Sequence, residues 1–135
     1  MSSEEQARRA NLEALTALAE ALNRQDVDAA LALMTDDCVY LASLGPELDG
    51  ATFGGREEVR RGLEALVETY PDLHYSDLRL VVDGDSAAAG WTMTGTDSKT
   101  GDRVQVRGCD LLELVGGKIR LKDAFRKERR LLATR

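Results

Sequence analysis

The sequence predicts an α+β fold in which three helices precede an antiparallel sheet, and two patterns support this prediction. Apolar residues recur at helical spacing through much of the first 70 residues, and strand-forming residues dominate from residue 73 onwards. The dipeptide Gly116-Gly117 stands between two such strand-forming runs, and glycines readily adopt the positive φ of a two-residue hairpin turn. Helices that cluster ahead of consecutive strands indicate an α+β architecture.

Three helices are predicted, at residues 4–24, 27–34 and 55–70. Asp26 stands at the expected N-cap of the second helix, and Pro71-Asp72 closes the third. Each helix carries apolar side chains on one face, as is typical of a helix that packs against a core. These apolar stripes are Leu12, Leu15, Leu18, Ala19 and Leu22; Val27, Ala30, Leu31 and Met34; and Val59, Leu63, Leu66, Val67 and Tyr70.

Five strands complete the predicted order α-α-β-α-β-β-β-β. The first covers 38–42 and is followed by a glycine-rich loop over 43–54; the others cover 73–82, 86–96, 103–115 and the residues after 117. The basic tail over 128–135 is expected to fray. Since the chain contains no linker or repeat, residues 1–135 are predicted to form a single domain.

The hairpin register predicts that two acidic residues lie side by side. If Gly116-Gly117 is the turn, strict alternation puts Asp110 directly opposite Asp123 on an otherwise apolar face. Like charges in this position destabilise a sheet, so the pair needs a cation, a ligand or a shared proton. We interpret Asp110 and Asp123 as catalytic, with burial and repulsion raising one pKa. The alternative is that one acid lies at the rim and pairs with Lys122 or an arginine.

The same alternation predicts the walls of a pocket around these acids. A turn over 97–102 places Trp91 opposite Gly108 and Ala89 beside Asp110, so a large indole lies on the acids' own face. Tyr40 could supply a phenol donor from the first strand. An ordinary core role for Trp91 and Tyr40 is the alternative. The predicted substrate-binding residues are Tyr40, Trp91, Met93, Val106, Leu112, Leu121 and Phe125.

Composition excludes several classes of function. The net charge is −6 and no basic stripe dominates, which argues against nucleic-acid binding. The apolar runs are too short to span a bilayer, and the polar start MSSEEQARRA lacks the apolar core of a signal peptide, so we expect a cytoplasmic protein. Cys38, Cys109 and His74 have no metal-ligand spacing, and we expect neither a metal nor an organic cofactor.

Three segments resemble the nuclear transport factor two-like superfamily, most closely its SnoaL-like branch, which is named for a polyketide cyclase. They are LNRQDVDAALALMTDDCVY, YPDLHYSDLRLVVDGDSAAAGWTMTGT and RGCDLLELVGGKIRLKDAFRK, and together they cover most of the chain. The resemblance implies a cystatin-like cone, in which a strongly curved antiparallel sheet wraps around three N-terminal helices and leaves a pocket at its wide end. It also implies a homodimer through the outer sheet face. Strand alternation puts Arg107, Cys109, Leu111 and Lys122 on that face.

Residue by residue, the resemblance carries over in part. Asp110 matches the oxyanion-side aspartic acid of the ketosteroid isomerases, but the positions of their catalytic tyrosine and general base hold Leu18 and Ala42. Steroid isomerisation by that mechanism is therefore not expected. Asp123 lies near the last-strand aspartate of the related cyclases and epoxide hydrolases. Arg107 is close in sequence to the arginine of the epoxide hydrolases, but alternation points it to the other face.

Two hypotheses of function follow. The first is a small-molecule enzyme of isomerase, cyclase or epoxide-hydrolase type, which performs cofactor-independent acid–base chemistry on a hydrophobic substrate. The second is a non-catalytic ligand-binding or dimerisation module on the same fold. An enzyme needs an acid that has a shifted pKa and is accessible from the pocket. A binding module can have both acids in ion pairs or lack an open cavity.

Overall fold

A computed structural model describes residues 1–129 of the chain. The α+β class is confirmed, and the helices pack on one face of a six-stranded, curved and unclosed sheet. The end of the predicted frayed tail, residues 130–135, lies outside the described residues. The elements are α1 (Ser3–Asn23), α2 (Val27–Ala32), β1 (Met34–Leu41), β2 (Thr52–Gly54), α3 (Arg56–Thr69), β3 (His74–Asp83), β4 (Ser86–Thr96), β5 (Arg103–Val115) and β6 (Lys118–Arg126).

The sheet has the strand order β2-β1-β6-β5-β4-β3. Every neighbouring pair is antiparallel except β1 and β6, which run parallel, so the expectation of a purely antiparallel sheet is corrected at this one pair. Parallel strands need a long crossover connection, and here the chain from β2 to β5 supplies it. The predicted loop over 43–54 also contains an unforeseen short strand, β2, whose Phe53 pairs with Tyr40.

Helix α1 is held at both ends by polar contacts. The Ser2 side chain accepts a hydrogen bond from the Glu5 amide at 3.2 Å, which caps the helix N-terminus. Near the other end, the Asn23 side chain donates to the Tyr75 carbonyl at 2.9 Å and accepts from the Tyr75 amide at 2.7 Å. These contacts hold α1 against β3. Among residues 1–129, no helix is both long and apolar enough to cross a membrane.

The register between β4 and β5 agrees with its prediction. Trp91 pairs with Gly108 and Ala89 pairs with Asp110, as the alternation indicated. We call the face that the helices cover the inner face and the opposite one the outer face. The core lies between the helices and the inner face, and its sheet members include Tyr40, Tyr75, Ala89, Trp91, Met93, Val106, Leu112, Leu114 and Ile119.

The predicted register between β5 and β6 is wrong beyond the first two pairs. Leu114 pairs with Ile119, but Glu113 then pairs with Leu121, so Arg120 is an extra residue on β6. One extra residue reverses the alternation of every side chain that follows it. Asp110 therefore lies opposite Ala124, and Asp123 lies opposite Leu111 on the outer face. Three residues that were predicted on the inner face leave it: Leu121, Asp123 and Phe125.

Candidate active site on the inner face

The centre of the inner face is a buried ion pair between Asp110 and Lys122. The Lys122 ammonium donates to Oδ1 of Asp110 at 3.1 Å, and the side chains of Lys122 and Asp110 are 2% and 7% exposed. The extra residue Arg120 produces this contact, because it turns Lys122 inward toward the strand that carries Asp110. The predicted pair of like charges is thus replaced by a pair of opposite charges. The structure agrees with the alternative in which an acid pairs with Lys122, although that acid is buried and not at a rim.

Two opposing effects act on Lys122. Burial lowers the pKa of an ammonium group, whereas the adjacent Asp110 carboxylate raises it. The upward effects are together the larger, so the pKa of Lys122 is raised overall. Lys122 is therefore an ammonium ion at neutral pH. Its Nζ also lies 5.1 Å from the centre of the Tyr40 ring, within the range of a cation–π interaction.

Two buried tyrosines surround the pair. Burial raises the pKa of both Tyr40 and Tyr75, which keeps their phenols neutral and able to donate a hydrogen bond. The Tyr40 ring stacks on Phe53, with ring centres 5.6 Å apart. The Tyr75 ring meets Trp91 edge to face, with centres 5.0 Å apart. The pair is thus enclosed by aromatic rings with polar tips.

Trp91 contributes an unused donor to this interior. Its indole packs directly over Gly108, where an added Cβ would come within 2.5 Å of the ring carbon Cη2. Its Nε1 is buried and has no hydrogen-bond partner within residues 1–129. Since buried polar groups nearly always have a partner, this N–H marks a point where an acceptor would be stabilised.

A small cavity separates α1 from this part of the sheet. Its volume is about 20 Å³, and the lining residues that carry polar atoms on their side chains are Tyr75, Trp91 and Asp110. This volume holds about one water molecule and is far below the roughly 300 Å³ of an ordinary ligand pocket. A substrate therefore requires movement of the apolar side chains around it. These are Leu15, Leu18, Ala19 and Leu22 of α1, with Leu78, Ala89 and Leu112 of the sheet.

The structure brings most of the predicted site residues together and separates three of them. Buried on the inner face with Asp110 are Tyr40, Trp91, Met93, Val106 and Leu112. Leu121 is half-buried on the outer face, and Phe125 is 49% exposed there. They line no inner pocket, because both follow the extra residue in β6.

Asp123 is separated from Asp110 by the sheet itself. It lies on the outer face between Leu111 of β5 and Leu41 of β1. The pKa of Asp123 is raised. Burial is the largest cause, followed by the negative charge of Asp49 and then by that of Asp110. Asp110 and Asp123 therefore do not form a carboxylate pair that shares a proton.

Alternation placed Lys122 on the outer face, whereas both Lys122 and Arg126 point inward. Arg126 donates to the Tyr70 hydroxyl at 3.2 Å and to the Met93 sulfur at 3.8 Å, and its guanidinium lies 5.7 Å from the centre of the Tyr70 ring. A lysine is rarely buried, and the apolar residues Leu121 and Phe125 supported the other register. Within residues 1–129, no group of three or more His, Cys, Asp or Glu side chains could hold a metal ion.

The fold and the inward polar site together define the class of protein. A curved, unclosed sheet with helices on its inner face is the architecture of nuclear transport factor two-like proteins. More narrowly, the SnoaL-like domain family matches residues 15–121, so the chain belongs to that family. A comparison with curated proteins found no match.

Solved structures with this fold come from several bacteria. A candidate polyketide cyclase from Xanthomonas campestris pv. campestris has a TM-score of 0.78 at 21% identity, over 88% of this chain and 91% of that chain. A cystatin-fold protein from Novosphingobium aromaticivorans has a TM-score of 0.72 at 25% identity, over 86% and 97%. A phenazine biosynthesis-related protein from Pseudomonas aeruginosa has a TM-score of 0.79 at 16% identity, over 94% and 81%.

Proposed function

We propose that this protein is a small-molecule enzyme of the isomerase or cyclase kind, in which Asp110 is the base that acts on a hydrophobic carbonyl compound. The observation that supports this best is the Asp110–Lys122 pair, which lies inside an otherwise apolar interior beside the unpartnered Trp91 indole. Replacing a buried ion pair by apolar side chains is often neutral or stabilising, so stability alone does not account for this pair.

The chemistry would begin with proton transfer. The Asp110 carboxylate takes a proton from the carbon next to the substrate carbonyl, and the electron pair of that C–H bond moves onto the carbonyl oxygen as an enolate. The Lys122 ammonium and the Trp91 N–H are the available donors to that oxygen. Return of the proton at another carbon gives isomerisation, whereas attack of the enolate on a second carbonyl gives cyclisation. Neither reaction needs a metal or an organic cofactor.

The family supports a role of this general kind. The Xanthomonas neighbour is a candidate polyketide cyclase, and a Bacillus subtilis neighbour with 14% identity and a TM-score of 0.77 is a candidate isomerase. In the mechanism proposed above, cyclisation and isomerisation share the same enolate. The apolar lining of the inner cavity supports a hydrophobic substrate.

Proton exchange tests this proposal even when the product of the reaction has not been identified. The protein is incubated in D2O with a panel of small hydrophobic ketones, and loss of the signal of the proton next to the carbonyl is followed by NMR. We expect the wild type to accelerate exchange for at least one ketone. Asp110→Asn should lower that rate by about 100-fold or more, because a positioned base contributes about that much.

The control variant is Asp123→Asn, which removes a carboxylate on the other side of the sheet and should retain exchange. Circular dichroism establishes that each variant is folded. If Asp110→Asn does not fold, Asp110→Glu keeps the charge and displaces the carboxylate, and it should also lower the rate. Equal rates in wild type and a folded Asp110 variant would contradict the proposal.

The second candidate is a non-catalytic ligand-binding module. It is favoured by the closed Asp110–Lys122 contact and by the cavity of about 20 Å³. Native mass spectrometry that detects a retained apolar ligand, together with no exchange of any ketone, would support this alternative.

The partner we propose is a second copy of the chain. Its support is the exposed apolar side chains on the outer face, where Val81 is 66% and Leu111 48% exposed. Lys122, which was predicted on this face, is not part of it. A cytoplasmic location also stays a prediction, supported by the polar composition of the chain.

A further inference from the structure

We propose that the substrate of the inner site is a hydrophobic keto acid, and that Arg126 binds its carboxylate while Asp110 acts on the carbon next to its ketone. This assignment rests on the function proposed above, since it names the class of compound on which the same site acts. Arg126 takes no part in the proton transfer. It would hold one end of the substrate and so leave the ketone end at Asp110.

Arg126 carries a positive charge that no acidic side chain balances. The charge of Asp110 is compensated by Lys122, whereas Arg126 makes no ion pair with any residue in 1–129. Its side chain points inward to Met93, and the residue is half-buried. A cation that is partly removed from water and has no anion beside it is unfavourable. The anionic group of a ligand would therefore be stabilised at this position.

The Arg126 guanidinium also has unused hydrogen-bond donors. It donates to the Tyr70 hydroxyl at 3.2 Å and to the Met93 sulfur at 3.8 Å, and a thioether sulfur is a weak acceptor. A guanidinium carries its N–H groups in a planar fork that matches the two oxygens of a carboxylate. A single guanidinium suits a singly charged carboxylate better than a doubly charged phosphate.

The position of Arg126 relative to Asp110 sets the length of the ligand. Asp110 pairs with Ala124, so Arg126, two residues along β6, is its diagonal neighbour. Diagonal neighbours have Cβ atoms roughly 7–8 Å apart. The Arg126 side chain then extends to Met93, which pairs with Val106. Val106 is roughly 13 Å from Asp110 along β5, so a carboxylate at Arg126 would lie roughly 8–13 Å from the base.

Trp91 forms the surface between the base and Arg126. Its indole packs over Gly108, and Gly108 pairs with Arg126 on β6. A chain that joins a ketone to a carboxylate would therefore pass over the indole, which favours apolar carbons between the two polar groups. This agrees with the apolar lining of the inner cavity beside Asp110.

Arg126 also borders a depression of about 520 Å³, within the size range of ordinary ligand pockets. Ser43 and Leu44 of the loop after β1 line it, as do Val104 and Val106 of β5. Among the residues that the structure describes, none that we assign to the dimer interface lines this depression. The carboxylate end of a substrate therefore has room beside Arg126, and only the ketone end requires the inner cavity to open.

Binding is measured on the full-length protein with phenyl keto acids of increasing chain length, from benzoylpropionate to benzoylheptanoate, and with the methyl ester of each. Isothermal titration calorimetry at neutral pH gives the affinities. We expect at least one acid to bind about tenfold more tightly than its own ester, because the ester loses a charge-assisted hydrogen bond. That acid, and not its ester, should shift the NMR signal of the Nε–H group of Arg126 in the wild-type protein.

The variant Arg126→Gln tests the residue itself. It should lower the affinity for the preferred acid about tenfold and leave the affinity for its ester unchanged. If Arg126 only supports the packing of Tyr70, both compounds lose affinity alike. Arg61→Gln removes an equal charge from the exposed surface of α3 and should keep the preference for the acid. If Arg126→Gln does not fold, the Nε–H shift of the wild type decides.

The carboxylate site and the proposed reaction can fail separately, because binding is measured without turnover. Absence of proton exchange contradicts the reaction, whereas a preference for the acid that Arg126→Gln abolishes still supports Arg126 as the carboxylate site. Three results would overturn the role of Arg126: equal affinity for every acid and its ester, a preference that survives Arg126→Gln, or no binding of any acid in the series.

Discussion

Arg120 is the residue that decides which side chains of β6 meet the helices. Without it, Lys122 would point outward and Asp123 would face Asp110, whereas with it Lys122 is 1% exposed and pairs with Asp110. A buried charge with a partner is tolerated, but a buried charge without one is strongly destabilising. The bulge therefore sets both the electrostatics of the interior and the identity of its ionisable groups.

The single variants Lys122→Met and Asp110→Leu should each leave one buried charge uncompensated. We expect each to lower the free energy of unfolding by about 3–5 kcal/mol. The double variant Asp110→Leu/Lys122→Met removes both charges and should recover most of this loss. Urea denaturation at neutral pH measures the free energy of unfolding of wild type, the two single variants and the double variant. Additive losses in the double variant would mean that the two charges are not coupled in solution.

The pH dependence of stability should differ between wild type and that double variant. The pKa of Lys122 is raised on folding. Lys122 therefore contributes fully to the free energy of unfolding below the ordinary lysine pKa of 10.5, and this contribution is lost as the pH rises above that value. Burial also raises the pKa of Tyr40 and Tyr75, so both proteins lose stability as the pH rises above 10.0, the ordinary pKa of tyrosine.

We therefore expect wild type to lose more stability than the double variant as the pH rises from about 10 to about 12. Denaturant titrations across this range measure the difference. Parallel curves for the two proteins would mean that the pKa of Lys122 is not raised by folding.

Among the elements, β4 and β5 were predictable from the sequence, whereas the pairing of β6 was not. Alternation is unbroken through both strands, so the turn over 97–102 was enough to pair Trp91 with Gly108. In β6 a Gly-Gly turn is equally compatible with a regular hairpin and with a bulge three residues later. The apolar residues Leu121 and Phe125 favoured the regular register, although both lie on the outer face.

The sequence analysis did not predict that Asn11 and Asn23 fasten α1 to the sheet, because asparagine in a helix is ordinarily a cap or a surface residue. Asn11 is 1% exposed and donates to the Gly84 carbonyl at 3.0 Å, and Asn23 bonds both backbone groups of Tyr75. The apolar stripe of α1 predicted that it packs on the sheet. These two amides determine where on the sheet it packs.

The contact between β4 and β5 gives a prediction at the scale of the element. In Gly108→Ala the new Cβ would come within 2.3 Å of the Phe125 carbonyl oxygen and 2.5 Å of the Trp91 ring. We expect a loss of about 1–3 kcal/mol, because overpacked sites force backbone and rotamer shifts. Gly54→Ala in β2 is the control, since no atom lies within 4 Å of its new Cβ. Thermal unfolding compares the two, and similar midpoints would contradict the close packing.

At the scale of the whole molecule, we predict a homodimer through the outer face. An apolar row formed by Val81, Ala88 and Leu111 runs across β3, β4 and β5 on that face. Leu111→Glu should weaken the dimer by at least about tenfold, because it places a charge where apolar area is buried. Light scattering over a range of concentrations measures this. A monomer mass for the wild type at every concentration would rule the dimer out.

The parallel pairing of β1 with β6 also has a consequence for how the chain folds. β6, the last strand among residues 1–129, stands between β1 and β5, so until it docks β2-β1 and β5-β4-β3 are two separate fragments of sheet. Contacts between residues so distant in sequence slow folding, because a long loop must close before they form. Docking of β6 would then be the step that joins the two fragments and brings Lys122 to the charge of Asp110. A nascent chain released before residue 118 would present the unpaired edges of β1 and β5, and we expect it to aggregate.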